Sequence, residues 1–138
     1  MKNKILDKFN PRTCIVSKIQ KSNRIINNIF RKHLKQLNLS NSQVSILFVL
    51  SKKKLLTQKE LSDILYLEKS TVNRNIERLI KQDFLLQNQF KKIEITQHGV
   101  DMVKKIIPIW QKAMQEAEDK LGKDGLNSLN NLIQTLTN

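Results

Sequence analysis

Residues 57–81 read TQKELSDILYLEKSTVNRNIERLIK, and this stretch decides the fold. Thr57 and Glu60 have the spacing of a capping box, in which a hydroxyl accepts from the backbone three residues on and the carboxylate reaches back. A short helix follows, predicted to turn Leu61, Ile64 and Leu65 inward. Leu67-Glu68-Lys69-Ser70-Thr71 then leaves room only for a tight connection to a second helix. On that helix Val72, Ile76, Leu79 and Ile80 share one face at about 100° per residue. The opposite face carries Ser70, Thr71, Arg74, Arg78 and Lys81, with Asn73 and Asn75 on its flanks and Glu77 as its one acid. Two short helices joined by a tight turn, the second with an apolar back and a cationic front, read as a helix-turn-helix. Small hydroxyl and amide side chains near a helix N-terminus approach base edges, and Arg reaches guanine or phosphate. The N-terminal dipole favours phosphate there as well.

Working outward, the period changes after Phe84. Leu86, Ile93 and Ile95 alternate with polar residues around Asn88-Gln89, which predicts a two-stranded hairpin, a small wing. Lys91 and Lys92 on it are placed to touch phosphate. Upstream, Ser40 and Gln43 form a second capping box, and Val44, Ile46, Leu47, Val49 and Leu50 make a helix apolar on nearly all sides. That helix should be buried and should stop at Lys52-Lys53-Lys54, which reads as a solvated turn. Long amphipathic helices flank this unit. One is predicted over residues 13–37, with Ile15, Ile19, Ile26, Ile29, Phe30, Leu34 and Leu37 on its apolar side. The other opens at Thr96 and keeps helical period from Val100 to Leu121, with Pro108 expected to kink or break it. Gly122 and Gly125 should end it before a last helix with Leu126, Leu129, Leu132, Ile133 and Leu136. The expected fold is mainly α: a single domain over 1–138, with a winged helix-turn-helix at 39–96 between dimerisation helices at 1–38 and 97–138.

Composition supports a helical, anion-seeking chain. The 138 residues suffice for one domain with one core. Three Gly and two Pro are too few for sandwiches, barrels or glycine-rich phosphate loops. Lys and Arg total 25 against 12 Asp and Glu, a formal net charge of +13. Nucleic acid and anionic membrane are the usual partners of such an excess. The excess is uneven: residues 1–54 carry +12, residues 55–95 carry +1 and the remainder is neutral. Part of it is therefore a basic segment that serves solubility as well as recognition. One cysteine, Cys14, and two histidines, His33 and His98, cannot build a zinc site or an intrachain disulfide. The first residues hold no apolar stretch long enough for a signal peptide, and no apolar run approaches bilayer length. The expectation is a cytoplasmic protein that needs no cofactor.

Read together, Leu39-Ser40…Gln43…Leu47…Leu50, Thr57-Gln58-Lys59-Glu60-Leu61, Leu67-Glu68-Lys69-Ser70-Thr71-Val72-Asn73-Arg74, Ile95-Thr96…Gly99 and Ile107-Pro108-Ile109-Trp110 resemble the MarR family of bacterial transcriptional regulators. The resemblance covers residues 13–137. It implies a homodimer whose first and last two helices interlock. It also implies that the Ser-Thr-Val-Asn-Arg helix enters the major groove while the wing reaches the adjacent minor groove. The expected target is a pseudo-palindromic duplex site with half-sites about one helical turn apart, and the expected role is repression. The DNA-binding residues so implied are Thr57, Lys69, Ser70, Thr71, Asn73, Arg74, Arg78, Lys91 and Lys92. Small aromatic acids bind between the dimer helices and the winged helix in the family, which makes a small aromatic ligand an expected partner.

Three departures from the family pattern stand out. The wing is short and has no Asp or Arg at its tip, Asp83 takes the place of the usual Gly after the recognition helix, and Glu68 that of the usual Asp before it. Cys14 reads first as a small apolar residue. Peroxide-sensing members of the family place a reactive cysteine in that region beside tyrosines, whereas Tyr66 is the one tyrosine here. His33 is expected at the dimer or domain boundary, His98 at the cap of its helix, and Trp110 and Met114 in the core.

A second functional class stands beside the first. The stunted wing suits a winged-helix protein-interaction module, an antirepressor that has lost its own operator. Enzyme function lacks support, because the sequence shows no catalytic triad, paired carboxylates, Walker loop or metal cluster.

Overall fold

The computed structural model describes residues 3–138. The chain runs α1 (Lys4–Lys8), α2 (Ile15–Leu34), α3 (Asn41–Lys52), β1 (Leu55–Leu56), α4 (Gln58–Leu65), α5 (Lys69–Lys81), β2 (Leu85–Gln87), β3 (Ile93–Ile95) and α6 (Gln97–Thr137). Helix α1 lies ahead of the first predicted helix and is capped by the Asn3 side chain, which accepts from the Ile5 N–H. Helix α2 starts at Ile15, two residues later than its periodicity suggested. It closes through a 3-10 turn, Lys35–Leu37, onto Asn38 in the left-handed region. Both predicted capping boxes form: Gln43 N–H donates to Ser40 Oγ (3.2 Å) and Glu60 N–H to Thr57 Oγ1 (3.1 Å), and each N3 side chain accepts from its N-cap N–H.

The core gathers Ile46, Leu47 and Leu50 of α3 with Leu61, Val72, Ile76 and Leu79 of the helix-turn-helix. Leu34, Ile93 and Ile106 close it from α2, β3 and α6. Each such side chain contributes about 1.5–3 kcal/mol relative to exposure. Ile64, expected inward, is exposed: in a helix of two turns the core takes Leu61 and half-buries Leu65, which leaves Ile64 beside that contact. Asn75, expected on a flank, is buried, because the Gln43 amide on α3 donates to its Oδ1 (3.4 Å) and supplies the partner a buried amide needs.

The hairpin is part of a three-stranded antiparallel sheet of order β1-β3-β2. Leu85 pairs with Ile95 and Gln87 with Ile93, and on the other edge Leu56 pairs with Ile93. Strand β1 adds an edge that the sequence did not announce. Only two residues long, between the lysine turn and the Thr57 cap, it has no alternation to read. The wing turn is tight. Asn88 N–H donates to Lys92 O, and its Oδ1 accepts from the Phe90 and Lys92 N–H groups (2.9 and 3.0 Å). Lys91 takes the left-handed position that ends such a three-residue loop.

Helix α5 ends in a Schellman motif. Phe84 N–H donates to Leu79 O and Asp83 N–H to Ile80 O, with Asp83 at φ 62° where glycine is the preferred residue. Tyr66 occupies the same left-handed region at the end of α4 (φ 54°) with 79% of its surface exposed. An aromatic residue there carries conformational strain and little compensating packing. Tyr66→Gly is therefore expected to raise stability by about 1 kcal/mol, read as a higher urea midpoint at unchanged slope. A lower midpoint would show that the Tyr66 ring stabilises the turn.

Helix α6 does not break at Pro108. Its backbone stays helical there, because Pro108 and Lys104, whose carbonyl loses its partner, both lie on the exposed side. The break falls at Gly122 (φ 67°, ψ −179°), as the glycines suggested, while Gly125 remains helical. No atom lies within 4 Å of a Cβ built on Gly122, so backbone conformation and not crowding calls for glycine at this point. Helix α2 packs along α6. Lys32 Nζ donates to Glu116 Oε1 (2.7 Å), and His33 Nε2 lies 3.2 Å from Oε2. The Lys32 hydrogen bond first, then that of His33, holds the Glu116 carboxyl below its ordinary value. This tether is kept at neutral pH and is lost as pH falls through that lowered value. His33 thus ties two helices of one chain together.

Candidate nucleic-acid interface

Helix α5 presents its N-terminal half to solvent. Lys69, Ser70, Arg74 and Arg78 are exposed, and Thr71 and Asn73 are half-buried. The apolar back, Val72, Ile76 and Leu79, is fully buried, so the cationic front is held at a fixed angle to the domain. Neither Arg74 nor Arg78 has an acidic partner among the described residues, where the ion pairs are Lys32–Glu116, His33–Glu116 and Lys59–Asp63. Two unpaired guanidiniums one helical turn apart leave ten N–H donors for an anionic or base-edge partner. Asn73 Oδ1 is buried without a hydrogen-bond partner.

Glu68 occupies the N-cap of α5 without a capping hydrogen bond, and glutamate is a poorer N-cap than aspartate. The first N–H groups of α5 are thereby left without a side-chain acceptor. Thr57 differs from the other candidates. Its hydroxyl accepts from Glu60 N–H and donates to Glu60 Oε1 (3.1 Å each), so its cap role already occupies it. Lys91 and Lys92 are exposed on the wing, and Lys52, Lys53 and Lys54 are exposed at and just after the end of α3.

Sequence reasoning missed Phe90. It stands at the wing tip with 72% of its surface exposed. Its signal was present in Gln89-Phe90-Lys91-Lys92, but without the turn geometry the ring has no assigned direction. His98, expected at a cap, stacks on Phe84 instead (centroids 4.8 Å apart), and Thr96 alone caps α6 through its hydroxyl. Cys14 is exposed at the N-cap of α2, where the Ser17 N–H and hydroxyl hold its thiol below the ordinary value. Tyr66 lies in the α4–α5 turn. No group of three metal-ligating side chains occurs among the described residues, and no helix there is long and apolar enough to cross a membrane.

A cavity of about 280 Å³ lies between α2, α3 and α6. Phe30, Phe48 and Trp110 form its walls, with Phe48 and Trp110 edge to face at 5.5 Å. Asn23, Asn27, Asn41 and Ser45 are its polar groups, and no charged residue lines it.

A buried two-helix scaffold, a solvent-facing cationic helix and a lysine-bearing hairpin define a winged helix-turn-helix protein. Residues 37–87 match the family model described as MarR family. The structure is similar over nearly its whole length to three solved regulators. MosR, a transcriptional regulator of M. tuberculosis, is 25% identical, with 91% of this chain and 96% of that chain covered and a TM-score of 0.78. BpsR of Bordetella bronchiseptica, whose DNA binding is regulated by 6-hydroxynicotinic acid, is 16% identical, with 93% and 97% covered and a TM-score of 0.81. A cysteine-to-serine mutant of MarR from E. coli, complexed with operator DNA, is 20% identical, with 94% and 97% covered and a TM-score of 0.79. No curated protein matches the sequence. The chain has the winged helix-turn-helix fold of these regulators, and its residues 37–87 are similar to the MarR family.

Proposed function

We propose that this protein is a sequence-specific, duplex-DNA-binding transcriptional regulator and not an enzyme, acting as a homodimeric repressor on a pseudo-palindromic site. The observation that carries this reading is the front of α5, where Arg74 and Arg78 project unpaired from a helix whose back is locked in the core. Arg74, with Ser70, Thr71 and Asn73, is assigned to base edges. Arg78, Lys69 and the wing lysines are assigned to phosphate. Duplex binding should weaken steeply with salt, because each neutralised phosphate releases a counterion. Lys91→Gln/Lys92→Gln is expected to lower the slope of log K against log salt by about 2 per subunit, about 4 for the dimer, while leaving sequence preference intact. An unchanged slope would remove the wing from the interface.

The dimer reading draws on apolar surface that the single chain leaves uncovered. Ile15 and Ile19 of α2, and Leu129, Leu132, Ile133 and Leu136 at the end of α6, are all exposed. Leu132→Glu/Ile133→Glu is expected to turn a dimer into a monomer in light scattering at micromolar concentration, since burying two carboxylates at an apolar contact is prohibitive. A wild-type monomer would overturn the dimer assignment. The cavity beside Trp110 suits one small aromatic ring. Its neutral lining favours an uncharged ligand over a carboxylate.

The protein-interaction reading keeps one specific support, the short wing that lacks an arginine. It predicts weak duplex binding without sequence preference.

A further inference from the structure

The C-terminal ends of α2 and α5 meet beside the start of α3, over a cleft of about 720 Å³. Arg31 and Lys35 reach it from α2 and its closing turn, and Arg78 and Lys81 from α5. Ser40 and Gln43 line it from the start of α3, and no Asp or Glu lines it. All four cations are exposed, and none takes part in an ion pair or a side-chain hydrogen bond among the described residues. Helix dipoles account for some tolerance of cations at helix ends. They do not account for four from two different helices facing one concavity, where like charges repel and the field of the walls is focused. Gln43, by contrast, is fully engaged in the fold, through Ser40 and Asn75.

We propose that this cleft is a binding site for an oligophosphate, an anion carrying two or more linked phosphate groups. A guanidinium grips phosphate oxygens bidentately, and an ammonium neutralises them as a point charge. One Arg–Lys pair stands on each wall, so the charge is spread along the cleft and suits an elongated anion. Two sources offer this chemistry: a free phosphorylated metabolite, or consecutive phosphates of a DNA strand. Because Arg78 and Lys81 belong to α5, a free anion seated here would also compete with DNA for that helix.

The test uses the full chain and inorganic triphosphate as probe, by titration calorimetry. The variant Arg31→Gln/Lys35→Gln removes two charges from the α2 wall and leaves α5 intact. Lys104→Gln/Lys105→Gln removes the same charge from the exposed side of α6 and serves as control. Wild type and control are expected to bind one triphosphate per chain, and the cleft variant to bind it at least tenfold more weakly. The same three proteins are then compared on duplex DNA over a salt series. A loss of triphosphate binding with an unchanged salt slope identifies a free anion as the ligand. A slope lowered by about 2 per subunit bound in the cleft variant alone identifies backbone phosphates, at about 0.9 per phosphate contact. Equal triphosphate and DNA binding by the cleft variant and the control would overturn the proposal. The calorimetric arm needs no DNA, so it stands even if the regulator reading fails.

Discussion

Gly99→Ala is expected to destabilise the domain by about 3 kcal/mol, at the upper end of what overpacking in a close-packed site costs. A Cβ built at Gly99 would lie 2.3 Å from Phe84 O and 2.7 Å from Ile95 Cγ1. The first of these is backbone, and it cannot move freely. Phe84 N–H closes the Schellman motif of α5, and Phe84 O itself accepts from Thr96 N–H (3.0 Å). Thr96 in turn caps α6 and donates its hydroxyl to Asp83 O (2.6 Å). One methyl group at this point therefore pushes apart the end of α5, the first strand of the wing and the start of α6. Urea unfolding reads the effect as a shift in midpoint. A loss below about 1 kcal/mol would show that α6 can slide off this junction without cost, and the fixed placement of α5 would then need another cause.

Arg74→Ala is expected to weaken binding to the specific site by about 1–3 kcal/mol, roughly 5–150-fold, and to relax preference at one base position. Arg74 is exposed and unpaired, and it lies one turn into a helix whose opposite face is buried. Truncating it should leave folding unchanged and strip a bidentate donor from the groove. Arg78→Ala, by comparison, should weaken binding evenly across sequences, as loss of a phosphate contact does. Unchanged affinity in Arg74→Ala, measured by anisotropy at fixed salt, would remove this residue from the interface.

Much of this arrangement was legible because local chemistry and tertiary packing agree. Ser40/Gln43, Thr57/Glu60 and Thr96 are caps whose partners lie within three residues, so spacing alone places them. The back of α5 follows from a strong helical period, and so does the outward direction of Arg74 and Arg78. Several of the differences depend on distant partners. Asn75 is polar, and only the Gln43 amide of α3 makes its burial tolerable. Strand β1 exists only because β3 offers it an edge. His98 finds Phe84, fourteen residues back in the chain, as a stacking surface. Pro108 was expected to disrupt α6, and on the exposed side it does not. At the interface, periodicity says which side of a helix is polar, but not which polar groups are already spent. The Thr57 hydroxyl is committed to Glu60, the bond that its capping motif foretells.

The central claim is that the cationic face of α5 reads a particular DNA sequence. Its most direct test is fluorescence anisotropy of the purified full chain against the duplex upstream of its own gene and a shuffled duplex of equal length, each at two salt concentrations. The regulator reading predicts a preference for the upstream duplex of about a thousandfold or more, within the range of specific sites. It also predicts that Arg74→Ala narrows this preference by roughly 5–150-fold. Equal, weak and salt-sensitive binding to both duplexes would contradict the claim, leave the charge of this chain as generic attraction for polyanions, and move the search to partner proteins.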